Sequence, residues 1–144
     1  MMAIGSDHAG FQLKNELKKY LDEHSIEYVD VGCPDEQSCD YPDIARAVAA
    51  GVSTGQYERG ILICGSGIGM SIAANRFPKV RAALCVDENM ARVSRQHNDS
   101  NILVLGSRFT PTNTACTILA AWMSTGFDGG RHLRRVLKID GGEN

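Results

Sequence analysis

Apolar and polar positions follow one another along this chain in two rhythms. Short runs rich in β-branched residues, within "MAIGSD", "EYVDVG", "GILIC", "VRAALCV" and "NILVLG", read as strands. "GILIC" is apolar without interruption, the mark of a strand buried on both faces. Between these runs the spacing lengthens to that of a helix. "GFQLKNELKKYLDEH" carries Leu13, Leu17, Tyr20 and Leu21 on one face, with lysines and acids between them. Asp40, Tyr41 and Pro42 punctuate the chain before an alanine-rich helix, "DIARAVAAGVSTG", closed by Gly55. "MSIAAN" and "DENMARVSRQH" are the next helices, the second with Asp87 as its cap. Two more helical stretches follow, over about 111–125 and about 130–139.

Parallel strands need crossover connections, so five strands separated by helices predict one parallel sheet covered on both faces. The fold class is α/β: a three-layer αβα sandwich, Rossmann-like, with a five-stranded parallel sheet. With no linker or low-complexity segment, residues 1–144 are expected to form a single domain. Such sheets bind ligands at the carboxyl ends of their strands, near the point where strand order reverses. Chemistry-bearing residues collect around the predicted strand ends: Asp7 and His8 after the first, residues 64–70 after the third, His97 and Asn98 before the fifth, Arg108 after it.

Composition narrows the classes of function. A 43% hydrophobic content supports a real core, and a formal charge of -2 gives no general attraction to nucleic acid or anionic lipid. The apolar runs are strand-length and no membrane span is predicted; "MMAIGSDHAG" turns polar at once, unlike a signal peptide. A cytoplasmic protein is expected. Five cysteines form an odd set without CxxC or zinc-ligand spacing, which argues against a disulfide framework. Cys85 and Cys116 sit in apolar patterns and read as buried. Cys33 and Cys39 flank "PDEQS" in a loop, where they are open to oxidation. Of the histidines, His24 reads as solvated, while His8, His97 and His132 fall in loops or at termini.

The stretch "ILICGSGIGMSIAAN" is the densest in candidate chemistry. A dinucleotide fingerprint would read G-x-G-x-x-G, but the glycines run 65, 67, 69, and only Asp87 stands where a ribose-binding acid belongs. A P-loop would end in Gly-Lys-Ser/Thr, which is missing. An anion hole at a helix N-terminus remains, as does a tight turn that only packs strand on helix. Thiols in such a place beside a helix N-terminus generally ionise more readily and serve as nucleophile or base. Ser66 between glycines keeps acyl transfer open. Arg131 and Arg135, four apart in "GGRHLRRV", share a helix face and could grip a phosphate; with Arg108 they are expected at the same end of the sheet. A solvated basic face is the alternative.

Taken in order, "GSDHAGFQLK", "DYPD", "ICGSGIGMSIAAN", "SRQHND", "LGSR" and "GGRHLRRV" resemble the ribose-5-phosphate isomerase B family, which includes galactose-6-phosphate isomerase. The resemblance implies aldose-ketose isomerisation of a phosphorylated sugar through a cis-enediolate, with no metal and no cofactor. It implies Cys64 as the base between C2 and C1, the backbone N–H groups from Gly65 to Met70 (Gly65, Ser66, Gly67, Ile68, Gly69 and Met70) at the enediolate oxygens, and the Ser66 hydroxyl nearby. His97 would open the sugar ring, with Asp7 and Tyr41 around it and Asn98 on a substrate oxygen. His8, Arg108, Arg131 and Arg135 would hold the phosphate. Where one branch of the family carries glutamate, this chain has Met70, so it resembles the cysteine branch. A homodimer or homotetramer with shared active sites is implied, the last helix from about 130 contacting a neighbour. A hexose 6-phosphate substrate and a non-catalytic sugar-phosphate binding subunit are the alternatives.

Overall fold

The computed structural model describes residues 1–142. Strands β1 (Met2–Ser6), β2 (Tyr28–Asp30), β3 (Arg59–Cys64), β4 (Ala82–Leu84) and β5 (Ile102–Gly106) alternate with helices α1 (Phe11–Glu23), α2 (Tyr41–Thr54), α3 (Ile68–Ala74) and α4 (Glu88–Asn98). Helices α5 (Thr112–Ser124) and α6 (Arg131–Ile139) complete the described chain. The strands lie in the order β2-β1-β3-β5-β4 and every neighbouring pair is parallel.

Handedness then assigns the helices to faces. A crossover between parallel strands is right-handed, so its direction of travel across the sheet selects the side it covers. The β1-to-β2 and β4-to-β5 connections travel one way and put α1 and α4 on one face. The β2-to-β3 and β3-to-β4 connections travel the other way and put α2 and α3 opposite. Two cores result. Ile4, Ile61, Ile63, Leu103 and Leu105 pack with Leu13, Leu17 and Leu21 of α1 and Ile118, Leu119 and Trp122 of α5. Their strand neighbours Ala3, Leu62, Cys64, Ile102 and Val104 pack with Ala45, Val48 and Ala49 of α2 and Met70 and Ala74 of α3. The three-layer α/β sandwich is thus the observed fold.

Local signals account for three helix ends. Asp87 caps α4, its carboxylate accepting the Met90 N–H at 2.8 Å, so it is occupied in holding a helix. Gly55 takes the left-handed conformation, φ 82°, that closes α2. Tyr41, expected as loop punctuation, is the first residue of α2, because Pro42 fits the first turn of a helix. The edge strands β2 and β4 are shorter than their apolar stretches, three residues each.

The cysteine reading needs two corrections. Cys33 and Cys39 are paired as a disulfide, and Cys33 is buried. The reason is local: the chain after β2 folds back on β1, Cys33 donating its N–H to the Ser6 carbonyl at 2.7 Å, which a cysteine count could not show. Cys85 is buried as expected, but Cys116 is only half-buried on α5. Among the described residues no helix is long and apolar enough to cross a membrane.

A buried hydroxyl knot ties α4 and α5 to the start of β5. The Ser100 hydroxyl accepts the Trp122 indole N–H at 2.9 Å and lies 2.8 Å from the Ser94 hydroxyl. Ser100→Ala leaves a buried indole N–H without its acceptor and should cost about 1–3 kcal/mol. Urea denaturation monitored by Trp122 fluorescence should show the lower midpoint.

Candidate active site

The connections leaving β1 and β3 travel in opposite directions, which opens a crevice at the carboxyl edge between these neighbouring strands. Hydrogen bonds across three strand ends fix its floor. The Ser107 N–H and Arg108 N–H donate to the carbonyls of Cys64 and Gly65, each at 2.9 Å, and the Ser107 hydroxyl donates to the Ala9 carbonyl at 2.9 Å. Nine residues expected at the site, Asp7, His8, Tyr41, Cys64, Gly65, Ser66, Ile68, Gly69 and Arg108, line the resulting pocket of about 470 Å³.

The turn from β3 into α3 explains the glycine spacing. Gly67 has φ +77°, and a Cβ there would press on Leu84 and on the backbone of Leu105 and Gly106. At Gly69 a Cβ would collide with the Tyr41 ring, 2.5 Å from Cζ, so the tyrosine lies directly on the backbone of α3. Gly65 is covered by the Arg108 guanidinium, whose Cζ would be 3.0 Å from an added Cβ. The Cys64 sulfur accepts the Gly67 N–H at 3.2 Å, and the Ser66 hydroxyl accepts the Ile68 N–H at 3.2 Å. Two of the expected backbone donors are therefore engaged within the loop. The N–H groups of Ser66, Gly69 and Met70 donate to no backbone or side-chain group among the described residues, those of Gly69 and Met70 because the first turn of a helix offers them no partner. The Met70 side chain is fully buried beneath them. Asp7 is 7% exposed, its carboxylate accepting the Gly10 N–H at 3.1 Å.

His97, Asn98, Arg131 and Arg135 do not join this pocket, contrary to the expectation of one shared sheet end. Helix α4 starts at the carboxyl edge and returns along the sheet, so its last residues, His97 and Asn98, lie at the amino edge where β5 begins. The length of β5 alone separates the two edges by about 13 Å. There the His97 ring stacks on His132, with centroids 4.3 Å apart and planes 9° from parallel. Desolvation, then the His97 ring, Arg131 and Arg135 hold His132 below its ordinary pKa, against the pull of Asp128. Arg131 and Arg135 are exposed on α6. Arg81, which the sequence did not single out, ties this cluster down. It donates to the carbonyls of Asn98 and Asp99 at 3.0 and 3.1 Å, and its Nη1 donates to both carboxylate oxygens of Asp140, after α6, at 2.8 and 2.7 Å.

His97, Asp128 and His132 are the one trio of potential metal donors among the described residues, with ligand atoms within 4.8 Å of one another. Imidazole lone pairs lie in the ring plane, so those of two stacked rings lie in nearly parallel planes that do not meet at one point between them. This arrangement is a poor chelate.

The chain matches a family model described as Ribose/Galactose Isomerase over residues 2–139. It is 49% identical over 139 residues to a putative sugar phosphate isomerase of Bacillus subtilis, the match covering 96% of this chain and 93% of the relative. It is 45% identical over 138 residues to ribose-5-phosphate isomerase B of Escherichia coli, again across 96% and 93% of the two chains. Among solved structures it is similar to a ribose 5-phosphate isomerase of Thermotoga maritima, with a TM-score of 0.95, 50% identity and 97% of each chain covered.

The thiols differ in reactivity for physical reasons. Burial pushes Cys85 up to about 11, so at mildly alkaline pH it stays protonated, and burial with Glu16 and Glu23 raises Cys116 too. Iodoacetamide at such a pH should modify Cys64, at the pocket wall, ahead of Cys85, and inorganic phosphate should slow the Cys64 reaction. Peptide mapping by mass spectrometry checks the order.

Proposed function

The chain belongs to the ribose/galactose isomerase family, and on that premise we propose that it interconverts ribose 5-phosphate and ribulose 5-phosphate through a cis-enediolate. The observation that carries this reading is the position of the Cys64 thiol at the wall of a pocket that also contains unengaged N–H groups at the start of α3 and the His8 and Arg108 side chains. A base, an oxyanion hole and an anion grip are what the reaction needs.

In the forward direction the sugar ring opens first. The anomeric hydroxyl loses its proton, the bond from C1 to the ring oxygen breaks, and the ring oxygen takes up a proton. His97 serves both transfers, since an imidazole has one ring nitrogen that accepts a proton and another that donates one. The Cys64 thiolate then removes the C2 proton, and negative charge develops on the oxygens at C1 and C2. The N–H groups of Ser66, Gly69 and Met70 receive it; a preorganised donor of this kind is worth about 3–4 kcal/mol of barrier. A proton passes between the two oxygens, and Cys64 returns its own to C1. His8 and Arg108, with Arg131 and Arg135, fix the phosphate so that binding energy aligns the reacting carbons. Asp7, Tyr41 and Asn98 surround the sugar.

Because His97, Asn98, Arg131 and Arg135 belong to the amino edge, the complete site is proposed to join two copies. The flanking surfaces support this. Ile68 and Ile72 beside the pocket are 55% and 63% exposed, and Leu133 and Leu137 on α6 are 48% and 50% exposed. A two-fold pairing that sets the α6 end of each copy over the pocket of the other would bury both sets at once. No metal takes part in this scheme, so activity should survive exhaustive chelation.

Cys64→Ala should fold and bind sugar phosphate but lose solvent-proton exchange at the substrate carbon; exchange at the wild-type rate would remove the thiol from the role of base. His97→Asn should also be inactive with ordinary cyclic substrate. When these two inactive variants are unfolded together and refolded, half of the pairs are mixed and each mixed pair holds one intact site, so about a quarter of wild-type activity should return. No recovery would mean that each site is built from one copy.

A further inference from the structure

We propose that residues 30–39 form a positioning strap which holds His8 as its Nε2–H tautomer, aimed at a phosphate oxygen, with Lys14 as the strap's buried anchor. The inference rests on the phosphate role just proposed for His8. It concerns what prepares that side chain.

Lys14 has no task in the isomerisation and is 1% exposed. An ammonium taken out of water is tolerated only with close partners. It donates to the Cys33 carbonyl at 2.6 Å and to the Asp30 carboxylate at 3.0 Å, the two ends of the turn that leaves β2. Asp30 is itself saturated: it accepts the Lys18 ammonium at 2.8 Å and the Gly32 N–H at 3.0 Å. Burial works against its charge, yet these donors hold its carboxyl below the usual range. The turn is also stitched to the end of β1, Ser6 donating its N–H to the Gly32 carbonyl and accepting that of Cys33, both at 2.7 Å. One residue beyond Ser6 the chain enters Asp7 and His8.

The far end of the strap returns to the same place. Cys39, paired with Cys33, donates its N–H to Nδ1 of His8 at 3.3 Å. A neutral imidazole carries one N–H, and a ring whose Nδ1 accepts must carry it on Nε2. His8 lines the pocket, so the tautomer set by Cys39 presents a donor where a phosphate oxygen needs one. The opposite tautomer would offer a lone pair to an anion. Tyr41 follows two residues later, so the same strap also leads into the side chain that lies on Gly69.

The test removes the donor and leaves the ring. Cys39→Pro has no backbone N–H at this position; Cys39→Ala keeps the N–H and loses only the sulfur. Ring nitrogen shifts of His8, read by 15N–1H correlation without ligand, should report the Nε2–H tautomer in wild type and Cys39→Ala and a mixture in Cys39→Pro. Inorganic phosphate should bind Cys39→Pro roughly three- to tenfold more weakly, with a matching rise in KM and kcat within about twofold. If Cys39→Pro does not fold, Lys14→Met releases the other end of the strap and is expected to give the same two changes. Wild-type tautomer and affinity in a folded Cys39→Pro or, failing that, in Lys14→Met would overturn the proposal, as would a fall in kcat alone. A wild type that shows the tautomer but binds no phosphate would count against the phosphate role of His8 instead.

Discussion

The handedness of crossovers between parallel strands is the constraint from which the site follows. With β1 beside β3, and their following connections forced to leave in opposite directions, the sheet must part at its carboxyl edge. Whatever stands at the two strand ends then faces a common hollow. On one side stand Asp7 and His8, on the other Cys64 and the first turn of α3, whose N–H groups have no helical partner. The glycines at 67 and 69 let this turn lie against β5 and Tyr41 without collision. On the proposed reading, the oxyanion hole is the unfinished hydrogen bonding of a helix start, kept open because no side chain at the two glycines fills it.

Much of this was legible in the residues. Continuous apolar strands and amphipathic helices gave the parallel sheet, because burial on one or both faces writes its period directly into the sequence. Cys64, Ser66 and Gly69 fell together because they are contiguous, and Asp7, His8 and Arg108 because each follows a strand that ends at the same edge. What failed was direction. His97 sits just before a strand rather than just after one, and a helix crosses the whole sheet in between, so closeness in the chain to β5 put it at the opposite edge. Arg131 and Arg135 share one helix face as their spacing demands, but spacing along a helix carries no information about which end of the sheet the helix covers.

The other misreadings concern partners that only the folded backbone supplies. Lys14 is one of the lysines between the apolar positions of an amphipathic helix, a pattern that carries no sign of its burial, yet a carbonyl and a carboxylate after β2 enclose it. Cys33 and Cys39, six apart in a polar loop, have no spacing signature, and it is the return of that loop to Ser6 that brings them together. Asp87 illustrates the converse case: one acidic residue suited both a ribose contact and a helix cap, and the cap is the role its hydrogen bond shows.

The division of expected site residues between two edges also bears on how such a chain could assemble. A group that acts on the ring oxygen of a bound sugar must approach from the open side of the crevice, since the floor is occupied by Cys64 and by the turns after β3 and β5. Within one chain, the elements that carry His97 and Arg131 are held at the amino edge by Arg81, whose bonds to Asn98, Asp99 and Asp140 span the ends of α4 and α6. They cannot swing across the sheet without breaking that cluster. Among the described residues Arg108, Arg131 and Arg135 make no ion pair, so their charges remain available to an anion. On the proposed reading, a phosphate held between Arg108 of one copy and α6 of the other would itself bridge the two chains. Substrate binding and association of the copies would then favour each other by the same linkage, each stabilising the state that the other requires.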